Sequence, residues 1–158
     1  MRKFEKISLE QFKKDTGLTE KEYELYSIPK RSTKYSAGYD FMALTDFTIN
    51  PNEIKLIPTG IKADMNEDEV LMIYIRSSLG FKFNLRMCNQ VGIIDKDYYN
   101  NKDNEGHIFV KIQNEGDKPK EFKQGENIVQ GIFTKFLTVD NEDTIENERS
   151  GGFGSTNK

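Results

Sequence analysis

A single cysteine, Cys88, is the chain's whole supply of thiol, which excludes an intrachain disulfide and suits a reducing compartment. Beside Met87 it reads as a small core residue. Histidine is as scarce: His107 stands alone, with no Cys or His nearby at metal-ligand spacing, so it is not expected to hold a metal. Positive charge is not in excess either. The formal net charge is −3, which gives no electrostatic reason to expect nucleic acid as a partner, though a small phosphorylated ligand bringing its own metal stays open. No apolar run approaches membrane-spanning length, and the opening M-R-K-F-E-K lacks the apolar stretch of a secretion signal. No membrane is expected, and a cytoplasmic location is.

At 158 residues the chain is one domain by length and can bury a core without staples. Residues 1–30 differ from the rest. Ser8-Leu9-Glu10-Gln11 reads as a capping box opening a helix, with Phe12 three residues after Leu9 and Gly17 placed to stop it. A second start at residues 19–22 carries Tyr23 and Tyr26 on one side and ends at Pro29. One or two small helices packed on the body are predicted here. From Lys30 the signal turns to β: residues 39–44, 54–57, 70–75, 108–112 and 128–133 are branched and aromatic, with turn residues such as Pro51-Asn52 and Pro58-Thr59-Gly60 between them. Residues 31–139 therefore read as an all-β sandwich or barrel-like core. Residues 140–158 are acidic and polar, then glycine-dense as R-S-G-G-F-G-S-T, and predict a flexible lid.

The stretch N-Q-V-G-I-I-D-K-D-Y, residues 89–98, carries the densest chemistry. Val91, Ile93 and Ile94 favour extended backbone, and Gly92 lets a ligand or a second strand approach the main chain. At the bend that should follow, Asp95 and Asp97 diverge, one toward a pocket and the other toward solvent. Asp95, after the apolar run, is the one expected inside, where it would serve a water as general base. Taken alone, D-x-D reads first as the start of a polar turn. Asp40 in A-G-Y-D stands at a strand entry, where it suits a turn, a metal or an arginine. Arg76-Ser77-Ser78-Leu79-Gly80 ends a strand with a cation and two hydroxyls, groups that suit phosphate oxygens. Gly125-Glu126-Asn127 reads as a hairpin turn, and Gln130 interrupts an apolar run where its amide needs backbone or ligand partners. The tail lacks the lysine and following helix of a P-loop. Its inventory is that of a strap, with Phe153 to cover a base and Arg149 and Ser155 to meet phosphates.

In their order and spacing A-G-Y-D, R-S-S-L-G, N-Q-V-G-I-I-D-K-D-Y, G-E-N-I-V-Q-G-I-F and R-S-G-G-F-G-S-T closely resemble the five motifs of the trimeric dUTP pyrophosphatases (dUTPases), across residues 37–156. The resemblance implies a jelly-roll-like, β-clip-type subunit, a homotrimer with sites at subunit interfaces, and closure of each site by another subunit's tail. It implies hydrolysis of dUTP to dUMP and pyrophosphate with Mg2+. Asn89 and the main chain at Gly92 would read uracil, Tyr98 would pack on the sugar and exclude a 2′-hydroxyl, and Asp95 would activate the water. Arg76, Ser77, Ser78 and Gln130 would hold the phosphates, Asp40 would reach the magnesium through water, and Arg149, Phe153, Gly154 and Ser155 would form the lid. Two features depart from the pattern: Ser78 stands where glycine is more usual, and residues 99–107 intervene as a loop before the next strand. That loop reads as a solvated turn or as a contact surface for another protein. The related dCTP deaminases are the alternative enzyme, but no pocket glutamate falls among these motifs; a regulatory binding module using the loop is the non-enzymatic one.

Overall fold

The computed structural model describes residues 1–154 and 156. In chain order its elements are β1 (Lys3–Lys6), α1 (Leu9–Thr16), α2 (Glu20–Leu25), β2 (Lys30–Arg31), β3 (Tyr39–Met42), β4 (Phe47–Ile49), β5 (Ile54–Pro58), β6 (Ile61–Asp64) and β7 (Glu69–Ile75). Then come α3 (Ser77–Phe83), β8 (Leu85–Met87), β9 (Gly92–Ile94), a 3-10 turn (Lys96–Tyr98), β10 (Phe109–Asn114), β11 (Lys120–Phe122) and β12 (Asn127–Lys135). All pairings among the described residues are antiparallel, in a five-stranded sheet of order β2-β3-β12-β7-β9, a three-stranded sheet β5-β10-β8, and the pairs β1-β6 and β11-β4. This is the jelly-roll-like β fold that the sequence led one to expect.

β7 shows why the sheets close on one core. Its sequence E-V-L-M-I-Y-I is a nearly continuous apolar run; the pleat turns Leu71 and Ile73 inward, where they are buried, while Met72 and Tyr74 on the other face are only half-buried. β12 and β9 flank it on its two edges, and this central place fixes what stands at its ends.

The first thirty residues are less of an appendage than their helical signal suggests. β1 precedes the helices and pairs with β6, Lys3 opposite Asp64 and Lys6 opposite Ile61. K-F-E-K carries too little apolar signal to read as a strand, yet Phe4 packs its ring 5.2–5.5 Å from Phe133, Tyr39 and Phe41. Ser8 caps α1 by accepting the Gln11 N–H at 3.1 Å, and Gly17 ends the helix at φ 69°. The other half of the expected capping box is replaced, because the Ser8 N–H goes to Glu105 at 3.0 Å. At α2 the reciprocal bond does form, Thr19 N–H to Glu22 at 2.9 Å. Phe12 is fully buried, stacks on Tyr26 at 5.6 Å and meets Tyr23 edge-on. Burial of one such ring contributes about 2–3 kcal/mol, more than either cap supplies.

Three local expectations change. Gly125 does sit in a turn, with φ 84°, but β11 pairs with β4 while β12 pairs with β3 and β7, so no hairpin forms. Residues 77–83 form α3, which buries Leu79 and ends at Asn84 in the left-handed conformation, although the sequence marks no helix there. Cys88 is half-buried in the turn after β8 rather than in the core. Among the described residues no helix is long and apolar enough to cross a membrane.

Candidate functional site

Two clusters carry the predicted residues, at opposite ends of β7. At its C-terminal end the pairing register sets Gln130 of β12 between Asp40 of β3 and Tyr74 of β7. Arg76, one residue beyond β7, reaches back with its Nε to Asp40 Oδ1 at 3.1 Å. Asp40 is 11% exposed, so the guanidinium is its counter-charge. The Gln130 amide takes a long contact of 3.5 Å to the Ile75 carbonyl, and its room comes from Gly38, where a Cβ would stand 2.3 Å from Gln130 Oε1. Ser77 and Ser78 add exposed hydroxyls at the start of α3. Together these groups line an open cavity of 280 Å³. A guanidinium, two hydroxyls and an amide suit anionic oxygens, while Asp40 is the single carboxylate among its lining residues.

At the other end β9 pairs with β7, Ile94 opposite Leu71. Gly92 lies on Ile73, whose Cβ would be 3.1 Å from an added methyl, so the close approach foreseen there is made by a second strand. Asn89 is exposed in the turn before β9, where Gln90 has φ 62°; because Gly92 stands opposite Ile73, that turn lies toward the Arg76 end of β7, and only the residues after Ile94 lie at the far end. Asp95 is the extended residue ahead of the 3-10 turn. The divergence of the two acids is not observed. One guanidinium spans both: Arg149 Nη2 donates to Asp95 at 3.0 Å, its Nε to Asp97 at 3.2 Å, and its backbone N–H also to Asp97, at 2.9 Å. The two carboxylate side chains are 50% and 42% exposed, so water reaches both.

Tyr98 is buried at the end of this turn, and burial pushes its phenol above the ordinary range. Its hydroxyl donates to the His107 carbonyl at 2.7 Å and accepts from Asn104 at 3.0 Å. The tail covers it, with the Arg149 guanidinium 5.9 Å above the ring and the Phe153 ring 6.2 Å away. Phe153 stands between Tyr98 and Phe109, the Gly152 N–H donates to Asp103 at 2.9 Å, and Gly154 turns at φ 71°. Ser155, named with the lid, lies outside the described residues. The strap therefore rests on the acids of its own chain, where the resemblance implies closure of a site on another subunit.

The loop 99–107 is not a solvated turn. Asn101, Gly106 and His107 are buried, and Glu105 is bound by Ser8 and Lys62. The Gly60 N–H donates to His107 Nε2 at 2.9 Å, which puts the ring's hydrogen on Nδ1, 2.6 Å from Asp15 of α1. Burial lowers the His107 pKa although Asp15 and Glu105 pull it upward. Sequence reading missed Asp103 and Asn104. Their only signal is an asparagine-rich run, a composition that favours side-chain-to-backbone bonds.

The two clusters do not meet within one chain. Continuing the register sets Asp95 beside Val70, six residues from Arg76, or roughly 20 Å along an extended strand.

A family model described as dUTPase matches residues 25–157. The deoxyuridine 5'-triphosphate nucleotidohydrolase of Lactococcus lactis is 53% identical over 131 residues, covering 82% of this chain and 87% of that protein. The crystal structure of a dUTPase from Streptococcus mutans, 42% identical, superposes with a TM-score of 0.70 over 87% of this chain and 98% of that one. A dUTPase of phage phi11 of S. aureus, described for its coordination of a structural Mg(II) ion, is 18% identical with a TM-score of 0.68 over 94% of this chain and 99% of that one, a likeness of fold alone.

Proposed function

Since the chain belongs to the dUTPase family and acts as a dUTP diphosphatase, we propose that its two clusters are the halves of one catalytic site, completed between copies in a homotrimer. The observation that carries this reading is their separation along β7: phosphate-binding chemistry at one end and the half-exposed acid at the other, too far apart to share one nucleotide. Symmetric copies supply each half to the other.

In this reading Asn89 and the backbone around Gly92 bind the uracil edge, and Tyr98 is the wall against the sugar. A cytosine would leave those fixed backbone groups unpaired, at about 1–3 kcal/mol each. Arg76, Ser77, Ser78 and Gln130 hold the phosphates. Asp95 takes a proton from a water, whose oxygen bonds to the α-phosphorus as the bond to the β-phosphate oxygen breaks. Charge then moves onto the departing pyrophosphate, where Arg76 and Arg149 offset it. Phe153, Gly154 and Ser155 complete the strap that excludes water.

The donor set fits magnesium held mainly by the substrate. No group of three potential ligands occurs among the described residues, and Asp40 is already paired with Arg76, so the protein offers one carboxylate acting through water. Bound with the triphosphate, Mg2+ would supply neutralisation of phosphate oxygens.

Co-expression of two inactive variants tests the shared site. Asp95→Asn and Arg76→Ala chains, each inactive alone, should recover roughly a quarter of the activity when mixed at random, and sediment as trimers. A mixture as inactive as its parts, or a monomer with full turnover, would overturn the reading.

A further inference from the structure

Residues 99–107 return their polar groups to Tyr98. The phenol has one hydrogen, committed to the His107 carbonyl at 2.7 Å, so its oxygen accepts from Asn104 Nδ2 at 3.0 Å. The other end of the same amide holds the loop closed: Asn104 Oδ1 accepts from Asn101 Nδ2 at 2.9 Å and from the Gly106 N–H at 3.1 Å. Asn101 in turn donates to the Tyr98 carbonyl at 2.8 Å and accepts the N–H groups of Asp103 and Asn104. Gly106, at φ 83°, lies so close that a Cβ there would stand 2.6 Å from the Tyr98 carbonyl oxygen. Ring and backbone of Tyr98 are thus gripped by one loop, through one amide that serves both.

We propose that Asn104 is a positioning residue for sugar selection: it fixes the Tyr98 ring where a 2′-hydroxyl finds no room, so the preference for dUTP over UTP depends on it. This rests on the reading of Tyr98 as the wall against the sugar. Asn104 acts only through Tyr98. Exclusion by shape requires a wall that does not yield, and a ring free to tilt by about an ångström would admit the extra oxygen. The phenol's two hydrogen bonds, one from the loop side chain and one to the loop backbone, oppose that tilt.

The test is steady-state kinetics with dUTP and UTP on the full chain. Asn104→Asp keeps the Oδ1 acceptor that Asn101 and Gly106 use and turns the donor facing the phenol into a second acceptor. It should narrow the ratio of kcat/KM between dUTP and UTP by about tenfold, the dUTP loss falling on KM rather than kcat. Tyr98→Phe, which leaves every loop amide in place, should narrow the ratio to a similar extent, and the double variant should add little, because both remove the same bond. Should Tyr98→Ala collapse the ratio while Asn104→Asp and Tyr98→Phe leave it unchanged, the wall stands and the role of Asn104 is overturned. If Tyr98→Ala itself leaves the ratio unchanged, the reading of Tyr98 fails and carries this inference with it. If Asn104→Asp does not fold, Asn104→Ser, which also removes the donor to the phenol and leaves its bond to the His107 carbonyl, takes its place: a narrowed ratio supports the anchor and an unchanged one removes it.

Discussion

Asp40, Arg76 and Gln130 stand on or just beyond three neighbouring strands, β3, β7 and β12, whose ladder fixes their spacing, whereas Asp95, Asp97 and Tyr98 stand at a 3-10 turn steadied by side chains of the next loop and of the tail. The phosphate end inherits its geometry from backbone pairing. The acid end is assembled from the loop 99–107 and the tail, whose Asn104 and Arg149 bond the turn directly, while Asp15 of α1 bonds His107 of the loop. In the proposed site the anion cradle would thus be set by ladder hydrogen bonds, and the base and lid by side-chain contacts. The two halves should therefore fail differently when perturbed.

The largest difference should come from the paired substitutions Asp95→Asn and Arg76→Ala, each alone. Loss of the base leaves the nucleotide's contacts intact, so kcat should fall by about a hundredfold to ten-thousandfold with dUTP affinity within a few-fold, by titration calorimetry. Loss of Arg76 removes a charge that both substrate and transition state feel and leaves Asp40 without its counter-ion, so KM and kcat should worsen together. An Asp95→Asn protein that still turns over would show that the acid end does not supply the base.

Phe12→Ala comes next, at about 3–5 kcal/mol of unfolding free energy in urea. Because α1 supplies Asp15 to His107 and its cap Ser8 to Glu105, hydrogen exchange should rise in residues 99–107 while β7 and β12 stay protected. Equal loss of protection in both would mean the two ends are one cooperative unit.

Deleting residues 149–158 should lower kcat about tenfold and leave the melting temperature nearly unchanged. The carboxylates that Arg149 binds are half-exposed, and ion pairs of that kind contribute about 0–1 kcal/mol. Unchanged kinetics would remove the strap from the mechanism.

How far each end is legible in the sequence follows from the same contrast. The strands that carry Asp40, Arg76 and Gln130 announce themselves by branched and aromatic residues at regular spacing, and the structure brings those three together. Helix α3 does not announce itself, because Ser, Gly and Phe are weak helix formers and the seven residues are helical through the burial of Leu79 and the left-handed stop at Asn84. β1 is hidden by its lysines. The sharing of Arg149 by Asp95 and Asp97 joins positions more than fifty residues apart, and no local pattern encodes it. The grip of Asn104 on Tyr98 has no periodicity to betray it, since a loop built on side-chain amides follows no repeat.

The smallest effect should be a pH dependence confined to the acid end. His107 is buried, and burial holds its pKa below the ordinary 6.5 in spite of the Asp15 and Glu105 carboxylates that face it. The unfolded chain binds the proton first as pH falls, so the stability that this histidine contributes is complete above about pH 6.5 and drains away below it, until the folded ring titrates as well. A protonated ring would also turn a hydrogen on Nε2 against the Gly60 N–H, donor facing donor, beside the carbonyl that anchors the Tyr98 hydroxyl. The melting temperature should therefore fall between pH 7.5 and about 5.5, and less steeply in His107→Gln, which has no group titrating there. The carboxylates held low by their partners, Glu105 with Ser8 among them, lose their contribution only below the ordinary carboxylate value of 4.5, outside that window. Two parallel melting profiles would show that His107 titrates alike in the folded and unfolded chains.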